Sequence, residues 1–365
     1  MMKNNTFYPL SISDIRPETD SAVCITFDVP DDLREIFRFI QGQYITLKKT
    51  IAGEEYRRSY SICSGVDDGV LQVGIKRIDG GIFSNFVNTE LKVGDTIDVL
   101  PPGGNFYTQL DANNEKNYMC VCAGSGITPV LSIVKSILSQ EPNSTVTLLY
   151  GNRNSATVMF KEELGFLKNR YMTRLNWLNI LSREKQDADV LFGRLDNKKG
   201  GELNKMKLID IESTDEFFLC GPESMISEVS KGLRDAGVDE DNIHYELFYS
   251  SPDDAKTAIA KHHERAKRSG GRVSKIDVKV GGRSIQFDLS ADGENILDGA
   301  MRNGADLPFS CKAGVCATCK ARVMEGEVEM DLNHSLTAQE VAAGVILTCQ
   351  SHPVSDHVVV DFDQV

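Results

Sequence analysis

The sequence predicts a multidomain chain in which an antiparallel β-barrel, an α/β domain built on a parallel sheet and an α+β domain follow one another. Short strand-like runs separated by turn signals fill the first part, and strand and helix patterns alternate in the middle. A polar stretch then leads to a last part of mixed strands and helices. The predicted boundaries are 1–112 for the barrel, 113–249 for the α/β domain, 250–272 for a linker and 273–365 for the α+β domain.

The barrel is predicted from short β-type runs at even spacing. They are SAVCITFDV, QYITLKK, YRRSYSICS, VLQVGIKRI and TIDVLPPG. Gly-Asp, Asp-Asp-Gly and Pro-Pro-Gly-Gly turn signals stand between them. Many short strands joined by turns favour an antiparallel barrel.

The α/β domain is predicted from two kinds of segment that alternate. YMCVCAG, TVTLLYG, RLNWLNIL and EFFLCG are typical of buried strands, and ITPVLSIVKSIL, KEELGFLKN and ESMISEVSKGLRDA are typical of helices. Strands connected by crossover helices form a parallel sheet.

The stretch SSPDDAKTAIAKHHERAKRSGG is polar and is interpreted as a partly helical linker. After it, VSKIDVKVGGRSIQFDLS predicts a hairpin about Gly281 and Gly282. Residues 253–272 carry 6 bases and 3 acids, whereas residues 273–365 carry 14 acids and 7 bases. Such charge runs are either solvated surface or a surface that docks a partner protein. If a partner docks here, the expected contact residues are the acidic EGEVEMD at 325–331 and Lys312 and Lys320.

The composition narrows the possible function classes. A net charge of −13 argues against nucleic acid as the main partner. No run approaches 18 apolar residues, so neither a membrane span nor a membrane partner is expected. The opening MMKNNT lacks the apolar segment of a secretory signal, and a cytoplasmic location is expected.

Nine cysteines without a secretory signal argue against a disulfide framework. Five of them stand in apolar stretches and are interpreted as small buried hydrophobic residues: Cys24, Cys63, Cys120, Cys122 and Cys220. The other four are clustered, which favours metal or cofactor ligation.

Cys311, Cys316 and Cys319 have the spacing Cys-x4-Cys-x2-Cys, and Cys349 follows at a distance. This is the spacing of plant-type [2Fe–2S] ligands. Small residues between the cysteines (Ala313, Gly314, Ala317 and Thr318) let backbone N–H groups approach the sulfurs. The alternative is a zinc site made of Cys316, Cys319, Cys349 and His352, which would leave Cys311 without a role.

The segment around these cysteines resembles the β-grasp fold of plant-type ferredoxins. NILDGAMRNG is predicted as a helix, and KARVMEGEVEM and HVVVDFD are predicted as strands. TAQEVAAG is predicted as a short helix capped by Thr337, with Glu340 completing a capping box. The resemblance covers 273–365.

A phosphate-binding turn is predicted at CAGSGITPV, residues 122–130, which follows a strand and opens a helix. Gly124 and Gly126 allow close approach of a pyrophosphate, and the helix N-terminus favours its charge. After the next strand Arg153 stands where an acid would bind a ribose hydroxyl, and Arg183 lies at a further strand end. Such arginines favour NADPH, with NADH as the alternative.

Two features of the barrel segment suit a flavin. In RRSYSICS, Arg58, Tyr60 and Ser64 would share a face of a regular strand and offer a cation for phosphate and a ring for stacking. In IKRIDGGIFSNFV, Gly80 and Gly81 lead into a helix with Ser84 in its first turn, which is a second candidate anion site.

Together these motifs resemble the ferredoxin–NADP reductase superfamily. Its patterns are Arg-x-Tyr-Ser, Gly-x-x-Ser, Gly-x-Gly-x-Thr-Pro and Cys-Gly-Pro, which occur here in order at 58–61, 81–84, 124–129 and 220–222. With a ferredoxin domain at the C-terminal end, the chain is similar to flavin-dependent oxygenase reductases.

The resemblance implies a role for each matching residue. Arg58 would bind the flavin phosphates, Tyr60 would stack on the isoalloxazine, and Ser61 would lie near its N5 atom. The remaining binding residues fall into three groups: Gly81 and Ser84 for the pyrophosphate of FAD; Gly124, Gly126, Thr128, Cys220, Gly221 and Pro222 for the nicotinamide nucleotide; and Arg153, Ser182 and Arg183 for its 2′-phosphate. Tyr60, Ser61 and Cys220 would be the catalytic residues. Glu246 and Phe248, in HYELF, match the acid and aromatic residue that end the family's nucleotide domain.

The implied function is an NAD(P)H-dependent oxidoreductase. Electrons would pass from NADPH, or NADH, through FAD and a [2Fe–2S] cluster to the oxygenase component of a multicomponent monooxygenase. The alternatives are a reductase for another Rieske or diiron oxygenase, and a ferredoxin-type electron carrier that does not turn over NAD(P)H.

Overall fold

Three large sheets organise the chain in the computed structural model, which describes residues 6–248 and 252–365. A six-stranded antiparallel sheet, a five-stranded parallel sheet and a five-stranded mixed sheet follow one another along the sequence. This order confirms the predicted fold class. The boundaries 112/113, 249/250 and 272/273 stay predictions, and residues 249 and 250 lie outside the described residues.

The antiparallel sheet has the strand order β4-β3-β6-β1-β2-β5. Its elements are β1 (Tyr8–Thr19), β2 (Ala22–Asp28), β3 (Tyr44–Ile51), β4 (Glu54–Ser61), β5 (Leu71–Lys76), helix α1 (Ile82–Thr89) and β6 (Thr96–Gly103). Just after β4, Ile62 forms an antiparallel bridge with Val73 of β5 and so joins the two edge strands. The sheet therefore closes as a barrel around a core that includes the fully buried Leu10, Ile25 and Ile45.

Strand β4 ends before the last residue of the predicted strand RRSYSICS, residues 57–64. It ends at Ser61, and the barrel closure at Ile62 takes the following residues out of the strand. The predicted face shared by Arg58, Tyr60 and Ser64 is therefore wrong for Ser64. The buried Ser64 hydroxyl instead accepts a hydrogen bond from the backbone N–H of Gln72, at 3.3 Å.

The five-stranded sheet is parallel throughout and has the order β11-β10-β7-β8-β9. Its elements are β7 (Asn117–Ala123), α2 (Ile127–Gln140), β8 (Thr145–Asn152), α3 (Lys161–Arg170), β9 (Leu175–Leu181), α4 (Asn197–Lys205), β10 (Glu216–Cys220), α5 (Glu223–Asp235) and β11 (Ile243–Glu246). Because α2 carries eleven buried residues, its inner face is almost wholly apolar or small, as the sequence pattern predicts.

Ion pairs of Lys135 connect α2 to the barrel and to α3. Lys135 Nζ lies 2.5 Å from Asp68 Oδ2 and 2.5 Å from Glu163 Oε1. Burial alone would lower the pKa of Lys135, but the two carboxylates outweigh it and raise the pKa. One residue further on, the Ser136 hydroxyl accepts a hydrogen bond from the backbone N–H of Val66, at 3.1 Å. The direction of α2 relative to the barrel is therefore set by several polar contacts.

The barrel and the parallel sheet belong to one compact unit, formed by Tyr8–Tyr56 and Tyr60–Glu246. The chain from Leu247 to Val365 belongs to a second unit. This segment contains helix α6 (Pro252–Ser269), which confirms the helical tendency predicted for the linker.

The second unit contains a mixed sheet with the order β13-β12-β18-β14-β16 and a small two-stranded sheet, β15-β17. Its further elements are β12 (Val273–Val280), β13 (Arg283–Ser290), α7 (Ile296–Arg302), β14 (Lys320–Glu325), β15 (Val328–Met330), α8 (Ala338–Ala342), β16 (Val345–Leu347), β17 (Ser351–Pro353) and β18 (His357–Asp361). Strands β12 and β13 form the predicted hairpin, and the Thr337–Glu340 capping box is present. β12 and β18 are parallel, whereas the other neighbours are antiparallel, as in a β-grasp sheet.

In the described parts of the chain, no helix combines the length and the apolar character needed to cross a membrane.

Candidate functional site

The carboxyl ends of β7 and β10 form the centre of the candidate site. From β7 the chain runs outward through β8 and β9 on one side, whereas β10 and β11 lie on the other side. Such a reversal of strand order leaves a crevice at the carboxyl edge of the sheet, where ligands of α/β folds bind. The predicted turns 124–129 and 220–222 both lie at this edge.

These two turns approach each other backbone to backbone. A Cβ atom on Gly126 would lie 2.1 Å from the Cys220 carbonyl oxygen and 3.0 Å from the Gly221 nitrogen. Gly124 has a φ of +57°, in the left-handed region that glycine adopts without strain. The Thr128 hydroxyl donates to the Ser125 carbonyl at 3.0 Å and braces the turn. The glycines predicted for phosphate approach therefore also allow the two turns to pack.

Ser61, Cys220 and Glu246 meet at the same edge. Cys220 and Glu246 are register partners at the ends of β10 and β11. The Ser61 hydroxyl, at the end of β4, donates a hydrogen bond to Glu246 Oε2 at 3.1 Å. Glu246, matched in the sequence only through the HYELF ending, thus contacts a predicted catalytic residue.

The surrounding protein keeps this group of side chains uncharged at neutral pH. Burial raises the pKa of Glu246 to about 8, although the hydrogen bond from Ser61 acts in the opposite direction. Burial, together with the neighbouring Glu246, raises the pKa of the Cys220 thiol well above its usual value. Cys220 is therefore a neutral thiol, and the Glu246 carboxyl can hold a proton next to the Ser61 hydroxyl.

The barrel contributes a second cluster at the end of β4. The Tyr60 ring packs against Phe83, with ring centroids 5.9 Å apart. Phe83 lies in the first turn of α1, so Tyr60 is close to the predicted anion site at Gly81 and Ser84. The Ser84 hydroxyl accepts a hydrogen bond from the Ile78 backbone N–H at 3.2 Å and shapes the turn. The first N–H groups of a helix have no intrahelical partner, and they are suited to bind phosphate.

The arginines predicted for a 2′-phosphate lie on neighbouring strand ends. The Arg183 backbone N–H donates to the Arg153 carbonyl at 2.8 Å, and both side chains are exposed. The Ser182 hydroxyl donates to the Asn152 carbonyl at 3.2 Å. The structure thus brings the three predicted residues to one edge of the sheet.

Lys76 is a residue that the sequence analysis missed. It ends β5, and its Nζ lies 3.8 Å from the position that a Cβ of Gly124 would take. Burial and the positive charge of Arg153 lower its pKa. A basic residue between a buried strand and the Gly-Gly turn, in IKRIDGG, is the signal that could have found it.

The four clustered cysteines form two pairs. Cys311 and Cys316 share one hydrogen bond, and Cys319 and Cys349 share another. The first pair is partly exposed, whereas each cysteine of the second pair is only 3% exposed. The hydrogen bond with Cys316 and those from backbone N–H groups, including Ala313, lower the pKa of Cys311 to about 6 against the effect of burial.

Two thiol pairs fit a cluster of two irons better than a single zinc ion. Within residues 6–248 and 252–365, no three His, Cys, Asp or Glu side chains gather where one metal ion could bind them. His352, the fourth ligand of the zinc alternative, is instead 3.1 Å from the Asp331 carboxylate. The Ala313 N–H lies 3.3 Å from Cys311 Sγ, as expected for small residues that bring backbone donors to the sulfurs.

Three family models match the chain in the order that the sequence predicts. The oxidoreductase FAD-binding domain matches residues 10–107, the oxidoreductase NAD-binding domain matches 120–231, and the 2Fe-2S iron-sulfur cluster binding domain matches 278–354. The chain is also 43% identical to one of the subunits of 1,2-phenylacetyl-CoA epoxidase from Escherichia coli (strain K12), over 98% of both chains. It belongs to the family of oxygenase reductase components. The predicted cofactors FAD, [2Fe–2S] and a nicotinamide nucleotide are thereby confirmed, whereas the preference for NADPH stays a prediction.

Other oxygenase reductases are more distant. The ferredoxin reductase component of 3-ketosteroid-9-alpha-monooxygenase from Rhodococcus rhodochrous is 32% identical over 97% of this chain and 96% of its own. Among solved structures, phthalate dioxygenase reductase shares the fold with a TM-score of 0.58 at 19% identity, over 98% of both chains. The fold also recurs in a type IV self-sufficient cytochrome P450 monooxygenase, with a TM-score of 0.68 at 23% identity, over 97% of this chain and 41% of that one.

The raised pKa of Glu246 predicts a pH-dependent stability. The carboxyl is protonated in the folded protein up to about pH 8 but ionises near its usual pKa of 4.5 in the unfolded chain. Its stabilising contribution is complete below pH 4.5 and is lost as the pH rises to 8, by an amount on the order of 2–4 kcal/mol. Glu246→Gln should remove this loss, so that its Tm, followed by flavin fluorescence, falls less between pH 5 and pH 9 than that of the wild type.

Glu240→Gln is the matched control for this prediction. The Glu240 side chain is 79% exposed, so its neutralisation should leave the pH profile of the wild type unchanged. Parallel Tm profiles for the wild type and Glu246→Gln would contradict the raised pKa.

Proposed function

We propose that this oxygenase reductase oxidises NADPH and delivers electrons one at a time to a phenylacetyl-CoA epoxidase. The 43% identity to the Escherichia coli relative, over 98% of both chains, is the observation that carries the proposal. The stretches YGNRNSATVMFKEEL and NHSLTAQEV resemble the reductase subunit of that enzyme. FAD and a [2Fe–2S] cluster, when bound, supply the conversion of a two-electron hydride donor into single-electron delivery.

In this proposal the barrel residues hold FAD. Arg58 and the first turn of α1, with Gly81 and Ser84, bind its phosphates, and the Tyr60 ring stacks on the isoalloxazine. The contact of Tyr60 with Phe83 at 5.9 Å supports this assignment, because it places ring and helix start side by side. Ser61, held by its hydrogen bond to Glu246, would offer a hydroxyl to the flavin ring.

The parallel sheet holds the nicotinamide nucleotide. Gly124, Gly126 and Thr128 shape the phosphate turn, and Lys76 adds a positive charge to it. Cys220, with Gly221 and Pro222, would hold the nicotinamide end of the nucleotide. The Glu246 carboxyl, with a pKa of about 8, keeps a proton at the Ser61 hydroxyl and leaves no negative charge beside the reacting ring.

Cys311 and Cys316 would bind one iron of the cluster, and Cys319 and Cys349 would bind the other. The hydrogen-bonded pairing of the thiols supports this division. A cytoplasmic location fits this proposal, because the reductase would need NADPH and the described residues contain no disulfide.

A reductase for another oxygenase is the second candidate. The 32% identity to the 3-ketosteroid-9-alpha-monooxygenase component favours it, because that relative also spans nearly the whole chain. The two candidates share the same chemistry within this chain and differ only in the oxygenase that accepts the electrons.

Reconstitution distinguishes these candidates. The protein mixed with the phenylacetyl-CoA epoxidase oxygenase component should consume NADPH faster when phenylacetyl-CoA is added. Cys349→Ser is the control, because it should abolish this consumption while NADPH-dependent ferricyanide reduction continues. Cytochrome c reduction without stimulation by phenylacetyl-CoA would contradict the partner, and failure to oxidise NADPH or NADH with any acceptor would favour a simple electron carrier.

Arg183→Ala tests the nucleotide preference. Loss of a charge-assisted hydrogen bond to the 2′-phosphate should raise KM for NADPH roughly 10- to 100-fold and leave KM for NADH within about twofold. Arg234→Ala, at the far end of α5, removes an arginine paired with Glu240 and should leave both values unchanged. Equal effects of Arg183→Ala on NADPH and NADH would rule out a 2′-phosphate role.

A further inference from the structure

One face of helix α6 is basic and docks onto the acidic segment 329–331. Lys261 Nζ donates to the Met330 and Asp331 carbonyls, at 3.1 Å and 2.7 Å. Arg268 lies 2.6 Å from the Glu329 carboxylate. The spacing Lys261, Arg265, Arg268 places the three side chains on one side of a helix. Part of the acidic EGEVEMD stretch, expected as a partner surface, is thus occupied within the chain.

Arg265 is the centre of this contact. The residue is only 1% exposed, and its Nε donates to the Ala291 carbonyl at 2.9 Å. Its two terminal nitrogens lie 2.6 Å and 3.4 Å from the two oxygens of Asp331. Burying a charge is costly unless it is paired. A flexible linker would not need a buried guanidinium with a hydrogen bond at each of its three nitrogens, so α6 is more than a linker.

Asp331 connects this contact to the Cys349 turn. Its Oδ2 lies 3.1 Å from His352 Nε2, and its backbone N–H donates to the Gln350 carbonyl at 2.8 Å. The Gln350 side-chain amide in turn donates to the Lys312 carbonyl at 3.1 Å and lies 3.8 Å from Cys349 Sγ. Two residues that follow the predicted ligand Cys349 are therefore held by Asp331: Gln350 through the backbone N–H and His352 through the carboxylate that Arg265 binds.

We propose that Arg265 is a positioning residue for the [2Fe–2S] cluster and that α6 is a structural arm of the iron–sulfur domain. Through Asp331 the guanidinium fixes β15 and the turn that carries Cys349, and so sets the geometry and hydrogen bonding around the cluster sulfurs. The inference rests on the proposed ligation by Cys311, Cys316, Cys319 and Cys349. According to this inference, the segment predicted as a linker influences the iron–sulfur cluster, which would pass electrons to the oxygenase.

Arg265→Met in the full-length, cofactor-loaded protein tests this role. It leaves Asp331 as a buried carboxylate without its main partner, so the Cys349 turn should loosen. Loss of the cluster absorbance to a chelator should become about tenfold faster, the usual scale for outer-shell changes at metal sites. The EPR g-values of the reduced cluster should also shift, whereas NADPH-dependent ferricyanide reduction should stay at the wild-type rate.

Two further variants serve as a conservative replacement and as a control. Arg265→Lys keeps the charge and should restore part of the wild-type cluster lifetime, and it serves if Arg265→Met does not fold. Arg268→Met removes a side chain that is 65% exposed from the same face and should behave as the wild type. Wild-type g-values and chelator sensitivity in both Arg265 variants would overturn this inference alone. A wild-type protein without a [2Fe–2S] EPR signal would instead contradict the proposed function.

Discussion

The backbone contact between Gly126 and Cys220 is the constraint on which the candidate site depends. The two turns leave the sheet from neighbouring strands, β7 and β10, and they meet at a distance that excludes even a methyl group on Gly126. Because they meet, the helix start predicted to bind phosphate and the thiol proposed beside the nicotinamide occupy one crevice. Ser61 reaches the same edge through its hydrogen bond to Glu246, which joins the barrel to the sheet.

Charge is distributed around this contact in a consistent way. The side chains at the centre, Cys220 and Glu246, are held neutral because burial raises their pKa values. Positive side chains lie further out, at Lys76 beside the phosphate turn and at Arg153 and Arg183 on the exposed strand ends. An uncharged centre suits transfer of a hydride between two flat rings, and a basic margin suits the phosphates of both nucleotides.

Local sequence patterns predicted much of this architecture because they depend on residues that are close together in the sequence. Strand alternation, glycine turns and the Cys-x4-Cys-x2-Cys spacing are short-range signals, and the fold class and the iron–sulfur cluster follow from them, whereas FAD was implied by the resemblance to the ferredoxin–NADP reductase superfamily. The sequence could not show which distant segments meet. Lys76 lies near Gly124 only because barrel and sheet are packed together, and Arg265, in the segment predicted as a linker, is buried because it pairs with Asp331. Ser64 was misplaced because barrel closure ends β4 at Ser61.

Rapid mixing of NADPH with Gly126→Ala, under anaerobic conditions, tests the central contact most directly. The added methyl group would lie 2.1 Å from the Cys220 carbonyl, so the two turns must separate. Flavin bleaching should slow roughly 100-fold, the scale expected for a misplacement of about 1 Å, while the flavin and cluster spectra stay unchanged. Gly165→Ala, in α3, is the control, because its methyl group meets no atom within 4 Å and should leave the rate unaltered. A wild-type bleaching rate in Gly126→Ala would show that hydride transfer does not depend on the contact between Gly126 and Cys220.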